Sequence, residues 1–292
     1  MYKLVAVDLD GTMLNSFGVV TEKTKEVIQK TISKGIEVII ASGRPIDSIK
    51  NIAREIGSNN YFIAGNGTII YDIKKDKTVY ENYISTQKIL EIIKICEKNN
   101  IYYNIYTDEE ILTQKLKYNV LYYYKENAKR EEKKQTKINI VENIYDYVKN
   151  EGRSRNTKYL KVTICDENKV VFQNCMKKIK KIKGIDVLEI SHMANKKIEQ
   201  GTTIKKIEYC YTEIMAKNVD KWETVKLLME KMNIKREEVI AIGDNFNDKK
   251  MIENAGLGIV MKGSTPKVVE VADYITDDNN SDGVGKALEK FI

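Results

Sequence analysis

Short, uninterrupted apolar runs recur along the 292-residue chain, and polar residues close each of them abruptly. Leu4-Val5-Ala6-Val7 leads into Asp8-Leu9-Asp10-Gly11-Thr12, and Ile36 to Ala41 leads into Ser42-Gly43-Arg44-Pro45. Tyr61 to Ala64 gives way to Gly65-Asn66-Gly67-Thr68, and Glu238 to Ile242 to Gly243-Asp244-Asn245-Phe246-Asn247-Asp248. Runs this short without alternation predict strands of a parallel sheet covered on both faces. Thr21 to Lys34 carries an apolar stripe at Val27, Ile28 and Ile32 after a Thr21 N-cap, and Gly35 stops it, so it predicts a helix. Strand, helix and strand in this order make a βαβ unit with a right-handed crossover.

The hairpin predicted by Ile69 to Tyr71 and Thr78 to Tyr83 ends this style. It returns at Lys217, where Asn218-Val219-Asp220-Lys221 opens a helix carrying Val225, Leu227, Leu228 and Met232. Beyond Asp248 follow a helix to Asn254, a strand from Gly258 to Met261, a helix from Thr265 to Val271 and a strand from Tyr274 to Thr276. From about Ile84 to Tyr211 the pattern differs. Helical stretches (Gln87 to Lys98, Tyr118 to Lys129, Asn168 to Lys183) mix with strand-like ones (Ile101 to Tyr106, Tyr159 to Cys165, Ile185 to Ser191, Ile204 to Cys210), and none ends in the acidic or Ser-Gly signatures. The reading is an α/β protein with a Rossmann-like parallel-sheet core, residues 1–83 and 212–292, interrupted by an inserted α+β domain, residues 84–211.

Composition narrows the function classes. Apolar residues make up 42% and charged residues 31%, as in a globular protein with a sizeable core. The net charge of +7 comes from interspersed residues, whereas a nucleic-acid footprint needs clustered basic ones, so no nucleic-acid partner is expected. The Lys125 to Lys137 and Lys177 to Lys183 runs read as solvated helix faces. Cys96, Cys165, Cys175 and Cys210 form no CxxC pair, which suits buried thiols in a reducing cytoplasm. The first strand follows Met1 too closely for a signal peptide, and no apolar run is long enough to span a bilayer.

The strand ends then assemble a chemistry. Asp8 and Asp10 stand two residues apart at the carboxyl end of the first strand, where open α/β sheets place ligands. Such a pair repels unless a cation, a shared proton or hydrogen bonds compensate. Ser42, Asn66, Asp244, Asn247 and Asp248 close other strands, and Lys221 starts a helix. Pro45 suits a first helical turn, so Ser42 and Gly43 lie just before a helix N-terminus, whose free amides favour a phosphate. Oxygen ligands without nearby His or Cys argue for magnesium over zinc, and a phosphoryl group is the anion best matched to magnesium, a lysine and a helix start. His192 is the only histidine, so a His-based acid/base scheme has no second candidate.

DLDGT at 8–12, SGRP at 42–45, GNG at 65–67, DK at 220–221 and GDNFND at 243–248 resemble, in order, the motifs of the haloacid dehalogenase superfamily. More narrowly they resemble the Cof-type (subclass IIB) phosphatases, whose large cap is inserted between the third strand and the lysine. GLGIVM at 256–261 and the Asn279 to Gly283 segment add to the likeness. The resemblance implies Asp8 as nucleophile, forming an aspartyl-phosphate, and Asp10 as the acid that protonates the leaving oxygen and then deprotonates water. It implies Ser42, Gly43, Lys221 and Asn247 as the phosphate-binding residues. Magnesium would be held by Asp8, Asp244 and the main-chain carbonyl of Asp10, with Asp248, Thr12 and Asn66 in support.

This chain departs from the pattern at Asn218 and Trp222, which stand where the family has glycines beside the lysine motif. Asn tolerates a positive φ, and Trp222 is expected to pack in the cleft between the domains. Lys262-Gly263-Ser264 replaces the family's Gly-Asn-Ala, and Asn195 to Tyr211 is longer than the usual return from the cap. The substrate implied is a small phosphorylated metabolite, a sugar or cofactor phosphate, chosen by the cap, with Tyr102, Tyr103 and His192 as candidate contacts. A phosphomutase on the same core and a non-catalytic phosphometabolite-binding protein are the alternatives.

Overall fold

A computed structural model describes residues 1–128, 135–188, 191–192, 196–200 and 203–292. The chain divides into two compact units, Met1–Asn82 with Val219–Ile292, and Tyr83–Asn218.

In the first unit, the apolar runs become an eight-stranded sheet. Its order is Tyr274–Thr276, Leu257–Met261, Val239–Gly243, Leu4–Val7, Glu37–Ala41, Tyr61–Ala64, Ile69–Asp72, Lys77–Glu81. The first six strands of that order pair in parallel and the last two antiparallel. Every residue of Leu4–Val7 is completely buried, as a central strand covered on both faces requires. The Glu22–Ser33 helix begins where its cap predicts, the Thr21 side chain accepting from the Thr24 amide. Ile46–Glu55, Lys221–Met232, Lys249–Asn254 and Gly283–Phe291 are the other helices of five residues or more in this unit. Trp222 does not pack in a cleft between domains. It joins Leu4, Ala6, Ile39, Val225 and Ala241 in the core of the first unit, because the helix bearing it lies on the sheet.

The second unit is built on a seven-stranded, mostly antiparallel sheet. Tyr102–Thr107 and Tyr159–Asp166 are its central pair, and the Thr86–Lys98 and Lys169–Ile179 helices turn Ile89, Ile92, Ile93, Phe172 and Met176 inward. The return to the first unit comes at Val219, later than residue 212. Cys210–Ala216 pairs with both Tyr159–Asp166 and Ile185–Val187, so it belongs to this sheet. The strand expected over Ile204 to Cys210 divides instead, with Thr203–Ile207 pairing Lys196–Gln200 in a separate ribbon. All four cysteines are buried and unbridged. Among the described residues no helix is long and apolar enough to cross a membrane.

Candidate active site

Leu4–Val7 lies between Val239–Gly243 and Glu37–Ala41, so the strand order reverses beside it. Four adjacent parallel strands therefore end side by side, followed by Asp244, Asp8, Ser42 and Gly65-Asn66. This is the switch point at which open α/β sheets bind ligands. Asp8 still belongs to the ladder, its amide donating to the Ile242 carbonyl, and its side chain is buried.

Lys221 is the first residue of its helix, and the chain docks that helix start against the loop after the third strand. The Asp220 side chain caps the helix by accepting from the Glu223 amide at 2.8 Å. The Thr224 hydroxyl donates to the Gly67 carbonyl at 2.8 Å. Gly67 has φ +106°, and a methyl group there would lie 2.3 Å from the Asp220 carbonyl oxygen, so only glycine permits this approach. The Lys221 ammonium is delivered fully buried, 2.5 Å from Asp8 Oδ1 and 2.6 Å from Asp248 Oδ1.

Asp248 braces the fourth loop. Its Oδ2 accepts from the amides of Asp244 and Asn245, both at 3.0 Å, while its Oδ1 holds Lys221. Asp244 is oriented by Thr12, whose hydroxyl donates to Asp244 Oδ1 at 3.0 Å. Gly11, at φ +81°, lets the first loop pass this carboxylate, since a methyl group there would stand 2.6 Å from Asp244 Oδ2. Asp8, Asp244 and Asp248 bring carboxylate oxygens within 4.8 Å of one another.

Three carboxylates facing one ammonium leave two negative charges uncompensated, and the proton affinities reflect it. Burial pushes Asp8 up to about 8; Lys221 pulls it down, and Asp248 and Asp244 push it up further. Burial also raises Asp244 to about 6, with Asp248 adding to the shift and Thr12 opposing it. Burial disfavours the charge of Lys221, yet Asp248 and Asp8 outweigh it and hold the ammonium above its ordinary range. Among the described residues, Asp8 Oδ2 and Asp244 Oδ2 accept no hydrogen bond. Free oxygens, an all-oxygen donor set and a deficit of two positive charges fit a hard divalent cation.

Asp10 does not join this trio. Its exposed carboxylate is turned to Arg44, with Nε donating to Oδ2 at 2.8 Å and an Nη to Oδ1 at 2.6 Å. On the other side of Asp8, Ser42 is buried, its Oγ accepting from the Arg44 amide at 3.2 Å and its carbonyl from the Asn66 amide at 3.0 Å. Asn66 takes φ +58° and accepts from Asn247 Nδ2 at 3.0 Å, and Gly43 lies against the same Asn66 side chain. The structure thus gathers Asp8, Asp10, Thr12, Ser42, Gly43, Asn66, Lys221, Asp244, Asn247 and Asp248 at one sheet edge. Arg44 is the participant that motif reading missed; its only signal was a guanidinium two residues after the serine.

The candidate substrate contacts are placed differently. Tyr102 donates to the Lys115 carbonyl and packs edge-on to Tyr118, and Tyr103 is buried and donates to Glu97. Both are engaged within their own unit. The side chain of His192 lies outside the described residues.

Residues 5–288 match the haloacid dehalogenase-like hydrolase family, so the chain belongs to that family. It is 25% identical over 300 residues to the phosphatase YwpJ of Bacillus subtilis, covering 99% of this chain and 100% of that one. It is 26% identical over 290 residues to the 5-amino-6-(5-phospho-D-ribitylamino)uracil phosphatase YcsE of the same organism, covering 99% and 96%. A haloacid dehalogenase-like hydrolase from Bacteroides thetaiotaomicron shares the fold, with TM-score 0.71, 25% identity and full coverage of both chains. The protein is a phosphoric monoester hydrolase.

Proposed function

We propose that this phosphatase is a magnesium-dependent, cytoplasmic enzyme that hydrolyses a small phosphorylated metabolite through an aspartyl-phosphate on Asp8. The observation that carries the reading is the buried Asp8, held by Lys221 among carboxylates whose charge a divalent cation would balance. Magnesium held by the free oxygens of Asp8 and Asp244, with the Asp10 carbonyl, would keep Asp8 ionised and draw negative charge from the phosphoryl oxygens.

An Asp8 carboxylate oxygen forms a bond to phosphorus as the ester oxygen leaves, and that oxygen takes the proton of the Asp10 carboxyl. Water then attacks the same phosphorus, its proton passing to Asp10, and the Asp8–phosphorus bond breaks to free the carboxylate. Lys221 and the Ser42 hydroxyl bind the transferring oxygens, with Gly43 and Asn247 completing the phosphate cradle. The accelerations reached for phosphate monoesters, up to roughly 10²¹, call for positive charge concentrated where the transition state is negative. The name of the B. subtilis relative, a phosphatase of a ribitylaminouracil phosphate, supports a small-metabolite substrate class for this chain.

The test is phosphate release from a broad panel of phosphate esters, with native protein and Asp8→Asn side by side. Release by the native protein alone, abolished by chelator, is expected. Equal activity in Asp8→Asn would overturn the nucleophile, and persistence in chelator the magnesium requirement.

A further inference from the structure

Arg44 is held at more points than a surface arginine needs to be. Its amide donates to Ser42 Oγ at 3.2 Å, its carbonyl accepts from the Gly65 amide at 3.1 Å, and an Nη donates to Ser48 Oγ at 3.3 Å. Ser48 lies in the first turn of the Ile46–Glu55 helix, four residues on, so the guanidinium is braced against a rigid element. The remaining face of the fork meets both oxygens of Asp10. A bidentate arginine–carboxylate pair fixes orientation as well as distance. Asp10 itself is 61% exposed at its side chain, and among the described residues no other side chain bonds its carboxylate. Nearby, the Asp8, Asp244 and Asp248 trio carries uncompensated negative charge, which repels an untethered carboxylate.

We propose that Arg44 is the positioning residue for Asp10. It ties the carboxylate to the loop that also carries Ser42, so the proton donor and the phosphate cradle share one rigid frame. A carboxylate accepts both arms of the fork. When Asp10 takes up a proton, the protonated oxygen leaves one arm and becomes the donor, while the other arm keeps the group in place. The same residue then serves both half-reactions without searching for its geometry, which is where a tether contributes to rate. The proposal rests on Asp10 being the acid and base of the reaction described above.

The experiment compares two esters on the full-length protein with magnesium. The leaving group of an alkyl phosphate needs a proton, whereas p-nitrophenolate departs without one. If Arg44 acts through Asp10, Arg44→Ala lowers kcat on the alkyl ester by roughly 100-fold, in the range of general-acid catalysis, and on p-nitrophenyl phosphate by less than about 5-fold. Arg44→Lys, which keeps the charge and one donor arm, recovers part of the alkyl-ester rate. Equal loss on both esters, or a rise in KM with kcat unchanged, would overturn the proposal and make Arg44 a scaffold or a substrate-binding residue. If Arg44→Ala does not fold, Arg44→Lys carries the same comparison, and an equal effect on the two esters has the same meaning. Failure of the underlying reading looks different, because Asp10→Asn would then spare the alkyl ester in an otherwise native background.

Discussion

At the residue scale, the site is governed by three carboxylates, Asp8 and Asp248 buried and Asp244 half-buried, that share one buried ammonium. Asp8 and Asp244 both have proton affinities raised by burial, to about 8 and about 6, from an ordinary value of 3.8. The folded protein without cation therefore holds more protons than the unfolded chain between about pH 4 and 8, so stability falls as pH rises through that window. Lys221, raised above its ordinary value, contributes stability throughout and loses it only in the alkaline range. Denaturation midpoints in chelator are expected to fall from pH 5 to pH 8, and magnesium is expected to restore them most at the upper end. A midpoint flat over that range, or an equal magnesium effect at both ends, would contradict the charge count. Removing the ammonium is the sharper probe. Lys221→Met takes from Asp8 its one side-chain hydrogen-bond partner among the described residues and from Asp248 its charge partner, and is expected to cost roughly 3–5 kcal/mol of stability by chemical denaturation, along with activity.

At the scale of elements, the fold places these residues by joining loops to helix starts. Gly67 is one such join, since a methyl group there would stand 2.3 Å from the Asp220 carbonyl oxygen. Gly67→Ala would have to move the start of the Lys221–Met232 helix and is expected to destabilise the protein by about 1–3 kcal/mol and to lower kcat. Unchanged kcat with lowered stability would show that Lys221 tolerates the shift. Elements with their own signal were legible in the sequence. Buried runs ending in Asp or Ser-Gly became parallel strands, the Thr21 cap opened its helix at the next residue, and the Asn218 to Lys221 stretch led into the helix that begins at Lys221. Elements that draw identity from neighbours were not. Ile111–Thr113 and Ile138–Ile140 are three-residue strands that exist by pairing with each other, the first also with Tyr102–Thr107. Gly283–Phe291 opens on glycine after Asp282 in a left-handed conformation, with no capping side chain to announce it. The Cys210–Ala216 strand was not legible, since its identity comes from pairing with Tyr159–Asp166 and Ile185–Val187, and the expected strand over Ile204 to Cys210 ends where it begins.

At the scale of the whole molecule, one unit carries the chemistry and the other interrupts it between Asn82 and Val219. Motifs from Asp8 to Asp248 were readable as one site because each follows a strand whose place in the sheet its apolar run predicts. Arg44 and Asp10, 34 residues apart, were not readable as a pair, since no periodicity links a guanidinium on one loop to a carboxylate on another. Trp222 departs from its expected place for the opposite reason. Its position beside a catalytic motif suggested a cleft, while the helix it sits on turns it into the core. In the proposed reaction the phosphoryl group passes through Asp8. Native protein with magnesium is mixed with a rapidly turned-over ester, quenched in acid within the first turnover, digested and weighed by mass spectrometry. One added phosphoryl group is expected on the peptide containing Asp8, absent in Asp8→Asn; phosphate released with no phosphorylated peptide at any quench time would rule out the aspartyl-phosphate.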